Sequence, residues 1–266
     1  MAQATADAFR PLADLASGDI VVLRAIVDRH PVFRLYLESG LEAAAGGDRS
    51  RAALIGRSRA GAVLAIDFDD VTVRTVVGRL DDDELAAACA VDRRAELHVE
   101  PALRGRVAAL CGGRVLADQT IRYYSRPVGA DMVADPRCRH LGPADYAMLA
   151  GFFRAHHPAT IFSRWMLEET LVGLFEDGAL LACGGVVARH AGLATVNLGN
   201  FVTVPVRRGE GLAREVMATL LATLAAGGVR RATLGATAEN RAACRSYEAM
   251  GFALLEERAE LVVGPG

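Results

Sequence analysis

The sequence predicts an α/β protein built in two halves. Three observations carry that expectation. Two apolar runs, Leu171–Glu176 and 180–189, flank Asp177-Gly178, a strong hairpin dipeptide. A β-like run at 193–204 leads directly into 211–226, where Leu212, Val216, Leu220, Thr223 and Leu224 repeat at helical spacing. A strand, a helix and a last strand then follow to the C-terminus.

In chain order, His30-Pro31 with Phe33, Leu35 and Leu37 reads as the start of a packed helix. Asp81-Asp-Asp-Glu84 reads as acids placed at the positive end of a helix dipole, in preference to a metal site. Residues 95–99 and 119–125 have strand character. The stretch 126–140 carries two prolines and no sustained period, so the boundary between two domains, 1–132 and 133–266, is placed there. Pro143 and Asp145 open a helix over Tyr146–His156, and 163–169 is expected to be a second one. After the hairpin, the 193–204 strand and the 211–226 helix, Arg231–Thr237 alternates as a strand. The 241–250 segment returns to helical period through Ala243, Tyr247 and Met250, and Gly251 ends it. Ala253–Val263 reads as the strand that closes the second half.

Composition narrows the class. The chain has 266 residues, 52% of them hydrophobic but only 6% aromatic, and 49 are alanine, so the core is built from small aliphatic contacts. Charged residues are 23% and the net charge is −2, which argues against disorder, a general nucleic-acid binder and a polybasic membrane protein. All 30 basic residues are arginine, the pattern that GC-rich coding leaves, and it points to a bacterial source. The longest apolar stretches, 178–188 and 216–229, fall short of the roughly 18–20 residues of a membrane span. The N-terminal stretch MAQATADAFRPLADLASGD lacks a basic segment followed by an apolar one, so no signal peptide is expected. Five dispersed cysteines without a CxxC pair read as reduced thiols of a cytoplasmic protein, with no zinc spacing.

The chemistry sits in Val202-Thr-Val-Pro-Val-Arg-Arg-Gly-Glu-Gly-Leu-Ala213, between a strand and a helix. Two glycines let a backbone approach an anion closely, the first amides of the helix point outward, and Arg208 adds fixed positive charge. A pyrophosphate suits such a cradle. The pattern Arg-x-x-Gly-x-(Gly or Ala) also begins at Arg139 and Arg189, but Pro143 interrupts the first and the second lies in a hairpin. Downstream, Asn240-Arg-Ala-Ala-Cys-Arg-Ser-Tyr-Glu-Ala-Met-Gly-Phe252 follows a strand. With V-x-V-P-x-x-R-G-x-G-x-A ahead of N-x-x-A-x-x-x-Y-x-x-x-G-F, residues 140–260 resemble the GNAT superfamily of acyl-CoA-dependent N-acetyltransferases.

That resemblance implies a mixed, mostly antiparallel sheet flanked by helices. It implies that Val202, Thr203 and Val204 pair with the pantetheine arm of acetyl-CoA. The amides of Arg208, Gly209, Glu210, Gly211, Leu212, Ala213 and Arg214 would hold the pyrophosphate, Asn240 and Ala243 would meet the coenzyme A arm, and Tyr247 would protonate the departing thiolate. One departure stands out: five or six residues before the proline, where many relatives carry a carboxylate base, this chain has Asn200 and Gly199. Glu168, Glu169, Glu176, His156, His157 and His190 are the remaining base candidates, and none is assigned. Cys183 and Cys244 lack a recognisable histidine partner for a covalent route.

The first half contains Val99-Glu-Pro-Ala-Leu-Arg-Gly-Arg-Val-Ala-Ala109, which matches the cradle at a constant offset of 104, with Val107 standing where the cradle has Gly211. The expected architecture is therefore two GNAT-like copies in tandem, the first without a coenzyme A site. The expected function is transfer of an acetyl group from acetyl-CoA to a primary amine of a small-molecule or peptide acceptor by direct attack, without metal, nucleic acid or membrane. A homodimer is left open, and an acyl-CoA sensor without turnover is the alternative.

Overall fold

The computed structural model describes residues 8–68 and 70–266; the first seven residues of the stretch read for a leader lie outside it. The chain forms two compact units. The first comprises the described residues up to Tyr123 with Ala236–Arg241 and Leu255–Gly266; the second comprises Tyr124–Gly235 and Ala242–Leu254. No helix among the described residues is long and apolar enough to cross a membrane.

In the first unit, β1 (Arg10–Pro11) is followed by α1 (Ser17–Val27) and α2 (Pro31–Ala45). Strands β2 (Arg51–Ile55), β3 (Gly61–Asp67) and β4 (Val71–Gly78) come next, then α3 (Asp82–Cys89), β5 (Arg94–Val99), α4 (Arg104–Cys111) and β6 (Val115–Pro127). β2, β3 and β4 pair antiparallel, and β4 pairs with β5 in parallel through the crossover helix α3. Alternation divides the side chains between two cores. Leu54, Val63, Val76 and Leu97 face α3 and α4, where Leu85 and Val107 are buried, while Ala53, Ala62, Leu64 and Val77 face Leu23, Val32 and Phe33 of α1 and α2. The start of α2 is thus packed as the sequence suggests, with Phe33 and Leu35 fully buried.

The second unit runs β7 (Cys138–Leu141), α5 (Tyr146–His156), β8 (Leu171–Glu176), β9 (Ala179–His190), β10 (Thr195–Thr203), α6 (Leu212–Ala226), β11 (Arg231–Thr237), α7 (Arg241–Ala249) and β12 (Ala253–Val263). β7 to β10 pair antiparallel in sequence order, and β10 pairs with β11 in parallel. Asp177 and Gly178 both take positive φ, as the two-residue hairpin requires. α6 packs on β8 and β9 through the predicted stripe, with Leu212, Val216, Leu220 and Leu224 buried. The 163–169 segment is a 3-10 turn over Arg164–Glu168, and not the expected helix: only Met166 and Leu167 are buried, too short a stripe for two α-turns.

Two expectations need correcting. Strand β12 joins the first unit, where it pairs antiparallel with β5 from Ala259↔Val99 to Val263↔Ala95. Its apolar face explains the placement, since Ala259, Leu261 and Val263 belong to the core of Leu97 and Val99. The internal match at offset 104 is also one element out of step. The succession of three antiparallel strands, helix, parallel strand, helix and strand occurs twice, so β4–α3–β5–α4 corresponds to β10–α6–β11–α7. The Pro101–Ala109 segment follows β5 and therefore corresponds to the entry into α7. The counterpart of the cradle is the link between β4 and α3, at Arg79–Asp81.

Candidate functional site

The cradle begins where two strands part. The ladder of β10 with β11 runs from Thr195↔Arg231 to Leu198↔Leu234 and ends there, while β10 continues to Thr203. A bulge against β9 lies between Gly199 and Val202. Asn200 sits in it with φ 58°, a left-handed conformation that asparagine adopts at little cost. Its amide lies 3.5 Å from the Met166 sulfur, and its carbonyl accepts from the Cys183 thiol at 3.8 Å. Beyond the bulge the Val204 N–H donates to the Leu181 carbonyl of β9 at 2.9 Å. By strand alternation the polar backbone groups of Thr203 face the other edge, where its carbonyl accepts from Arg208 Nε at 3.3 Å. Val202 and Val204 contribute buried side chains to the core, and the N–H of Val204 is committed to β9.

After a 3-10 turn over Pro205–Arg207 the chain takes two left-handed glycines, Gly209 at φ 87° and Gly211 at φ 89°, before α6 begins. The first helical bonds are Arg214 N–H and Glu215 N–H to the Gly211 carbonyl, at 2.8 and 3.2 Å. Among the described residues, the amides of 209–213 have no intramolecular acceptor. Arg208, Gly209, Glu210 and Arg214 are exposed. Five outward amides at the positive end of a fifteen-residue helix, between two exposed guanidinium groups, form an anion site. A Cβ at Gly209 would meet nothing within 4 Å, and one at Gly211 would come to 3.3 Å of Arg214 Nη2, so both glycines are required by φ and by the surface they leave bare. The donor set fits a pyrophosphate.

Tyr247 on α7 is buried, with its ring 6.4 Å from Phe201 on the splayed part of β10, 6.1 Å from Tyr124 and 6.1 Å from Phe252. Burial pushes its hydroxyl up to about 12, so it holds its proton at neutral pH. Burial likewise pushes the Cys183 thiol up to about 12, which removes it as a nucleophile. Asn240 is exposed immediately before α7, and Ala243 lies in its first turn.

The base candidates have other partners or places. Glu169 pairs with Arg189 at 2.9 Å, and Glu176 lies between Arg137 and Arg207. His190 Nδ1 accepts from the Leu193 N–H, and the His156 ring stands against Phe152 with centroids 4.8 Å apart. Glu168 and His157 are exposed.

The corresponding place in the first unit is closed. Asp81 caps α3 by accepting from the Glu84 N–H at 2.9 Å, and Glu84 accepts in return from the Asp81 N–H at 2.9 Å. Asp82 and Asp83 add two more acids to that first turn, confirming the dipole reading of this patch. The β4–β5 ladder ends at Thr75↔His98, and beyond it the Val76 carbonyl accepts from the buried Arg258 at 2.8 Å. Gly105 and Val107 lie within α4, and Val107 is a core residue.

Residues 144–252 match the family model described as acetyltransferase (GNAT) family. This segment is a GNAT domain. The fold of the whole chain is shared more widely. A Drosophila protein aligns with a TM-score of 0.72 at 15% identity, covering 97% of this chain and 99% of its own. A GCN5-related N-acetyltransferase-like protein from Streptococcus suis aligns at 0.66 and 14% identity, covering 93% and 99%. A GCN5-related N-acetyltransferase from Sphaerobacter thermophilus aligns at 0.60 and 14% identity, covering 97% and 96%. At these identities the likeness is one of fold. No curated protein sequence matches the chain. The GNAT segment contains both the glycine loop and the Tyr247 helix; the bulge at Asn200 and the ion pairs around Arg207 are what motif reading missed, because no local spacing marks either.

Proposed function

We propose that the GNAT domain transfers an acetyl group from acetyl-CoA to a primary amine, on a small molecule or a peptide, by direct attack. The observation that carries this reading is the row of outward amides at 209–213 beside the edge of β10 that β11 leaves after Leu198. Bound there, acetyl-CoA would supply an activated thioester carbonyl. The amides of 208–214 and the Arg208 side chain would hold the pyrophosphate, and the free edge of β10 around Thr203 would align the pantetheine arm. The nitrogen–carbon bond forms as the carbon–sulfur bond breaks, and the amine proton passes to water or an acceptor-side base. Tyr247 would hold the proton that neutralises the leaving sulfur. Burial keeps the Tyr247 hydroxyl protonated, so its proton is available to the sulfur as the carbon–sulfur bond breaks.

In this reading the chain is a tandem of GNAT-like copies, β1–β6 and β7–β12 in element order, and only the second binds acyl-CoA. The acids at the start of α3 would repel a pyrophosphate from the first copy, and Arg258 fills the place where its strands would part. Asn200 supports a second reading, an acyl-CoA sensor without turnover, because an amide cannot take the amine proton. Release of free coenzyme A from acetyl-CoA with a panel of amines separates the two. Amine-dependent release is expected, and binding without any release would favour the sensor.

A further inference from the structure

We infer that Arg207, held by Glu176, is a positioning residue that keeps the loop open to the pyrophosphate and turns the Glu210 carboxylate away from it. The inference rests on the acyl-CoA reading of the same loop and adds a role for side chains that would not touch the ligand.

Glu210 lies between the two left-handed glycines, among the amides of the anion site. A free carboxylate there would compete with a phosphate for those N–H groups. The structure holds it elsewhere: Arg207 Nε donates to both Glu210 oxygens, at 2.8 and 2.7 Å. Arg207 Nη1 donates to Glu176 Oε2 at the end of β8, at 2.9 Å. The other Glu176 oxygen accepts from Arg137 at 2.6 Å, and Arg137 Nη2 also reaches Glu215 in the first turn of α6 at 2.6 Å. Asp135 completes the set on Arg137. Thus one continuous line of charge-assisted bonds ties the loop at Glu210 and the helix at Glu215 to the same strand end. Such a network fixes geometry where an isolated exposed pair would contribute little. The neighbouring arginines divide the work: Arg207 is committed to carboxylates, whereas Arg208 and Arg214 stay exposed beside the bare amides.

The test uses the full chain, isothermal titration with coenzyme A, and steady-state kinetics. Arg207→Gln frees Glu210 and should weaken coenzyme A binding about five- to tenfold, raising KM for acetyl-CoA while kcat is unchanged. The double variant Arg207→Gln/Glu210→Gln removes the freed charge and should recover most of that loss. If Arg207 instead bound phosphate directly, the double variant would stay as weak as the single one, which overturns the inference. Equal binding by wild type and Arg207→Gln also overturns it, while leaving the acyl-CoA reading intact. A wild-type chain that binds no coenzyme A overturns that reading and the inference together. Thermal melts of each variant establish that it is folded; should Arg207→Gln unfold, Glu176→Gln removes the same anchor from the β8 side and should weaken binding in the same direction.

Discussion

Replacing Gly211 separates backbone conformation from ligand approach at one position. The residue has φ 89°, where an L side chain is strained by about 1–2 kcal/mol. The nearest atom to an added Cβ is Arg214 Nη2 at 3.3 Å, the end of a flexible exposed side chain that can move aside. Stability lost in Gly211→Ala should therefore be the strain alone, or about 2–8 °C in Tm at the usual 2–4 °C per kcal/mol for a chain of this size. Gly211→Glu carries the same strain and adds a carboxylate among the amides of 209–213. Like charges brought together cost several kcal/mol, so coenzyme A affinity should fall more than about 100-fold, against a far smaller loss for the alanine variant. Thermal melting and calorimetric titration of both variants provide the numbers. A folded Gly211→Glu chain with wild-type affinity would refute the assignment of the loop.

Tyr247→Phe deletes one hydroxyl from a packed aromatic cluster, so coenzyme A affinity should hold while turnover falls by roughly 10² to 10⁴; wild-type turnover, measured where chemistry limits the rate, would mean that water protonates the sulfur. Val107→Gly restores a glycine at the sequence match in the first half, yet should create no second coenzyme A site and should destabilise the chain by about 3–4 kcal/mol, from lost burial and helix propensity. A second binding event in that variant would revive the offset-104 alignment. The Arg207 guanidinium beside Glu176, with Arg137, holds its carboxyl below the usual range. A depressed carboxyl contributes stability above its unfolded value near 4.3–4.5 that is lost as pH falls through the folded value. The Tm difference between wild type and Glu176→Gln should therefore be constant from pH 7 to 5 and shrink below about pH 4; a difference that grows on acidification has the wrong sign.

Much of the second half was legible because its signals are local. The Asp177-Gly178 hairpin, the α6 stripe and the bounds of Tyr146–His156, Arg231–Thr237 and Ala253–Val263 all follow from period and punctuation within a dozen residues. The sequence marks 253–263 as a strand, but its pairing with β5 joins residues some 160 apart, and nothing in 253–263 specifies that partner. The first-half match was misleading for a related reason. Pro-x-x-Arg-Gly recurs in an arginine- and glycine-rich chain, and only topology shows that it lies one crossover too late. In the site, the glycine loop and Tyr247 carry motif signals. The left-handed bulge at Asn200 and the line from Glu210 through Arg207, Glu176 and Arg137 to Glu215 do not, because charges 31 to 78 residues apart meet only after β7, β8 and α6 are in place.

In the proposed reading one unit of the tandem binds acyl-CoA and the other is closed to it. Calorimetric titration of the wild-type full chain with coenzyme A tests this most directly. A single site per chain is expected, lost in Gly211→Glu. Two sites per chain, or one that survives Gly211→Glu in a folded protein, would contradict it.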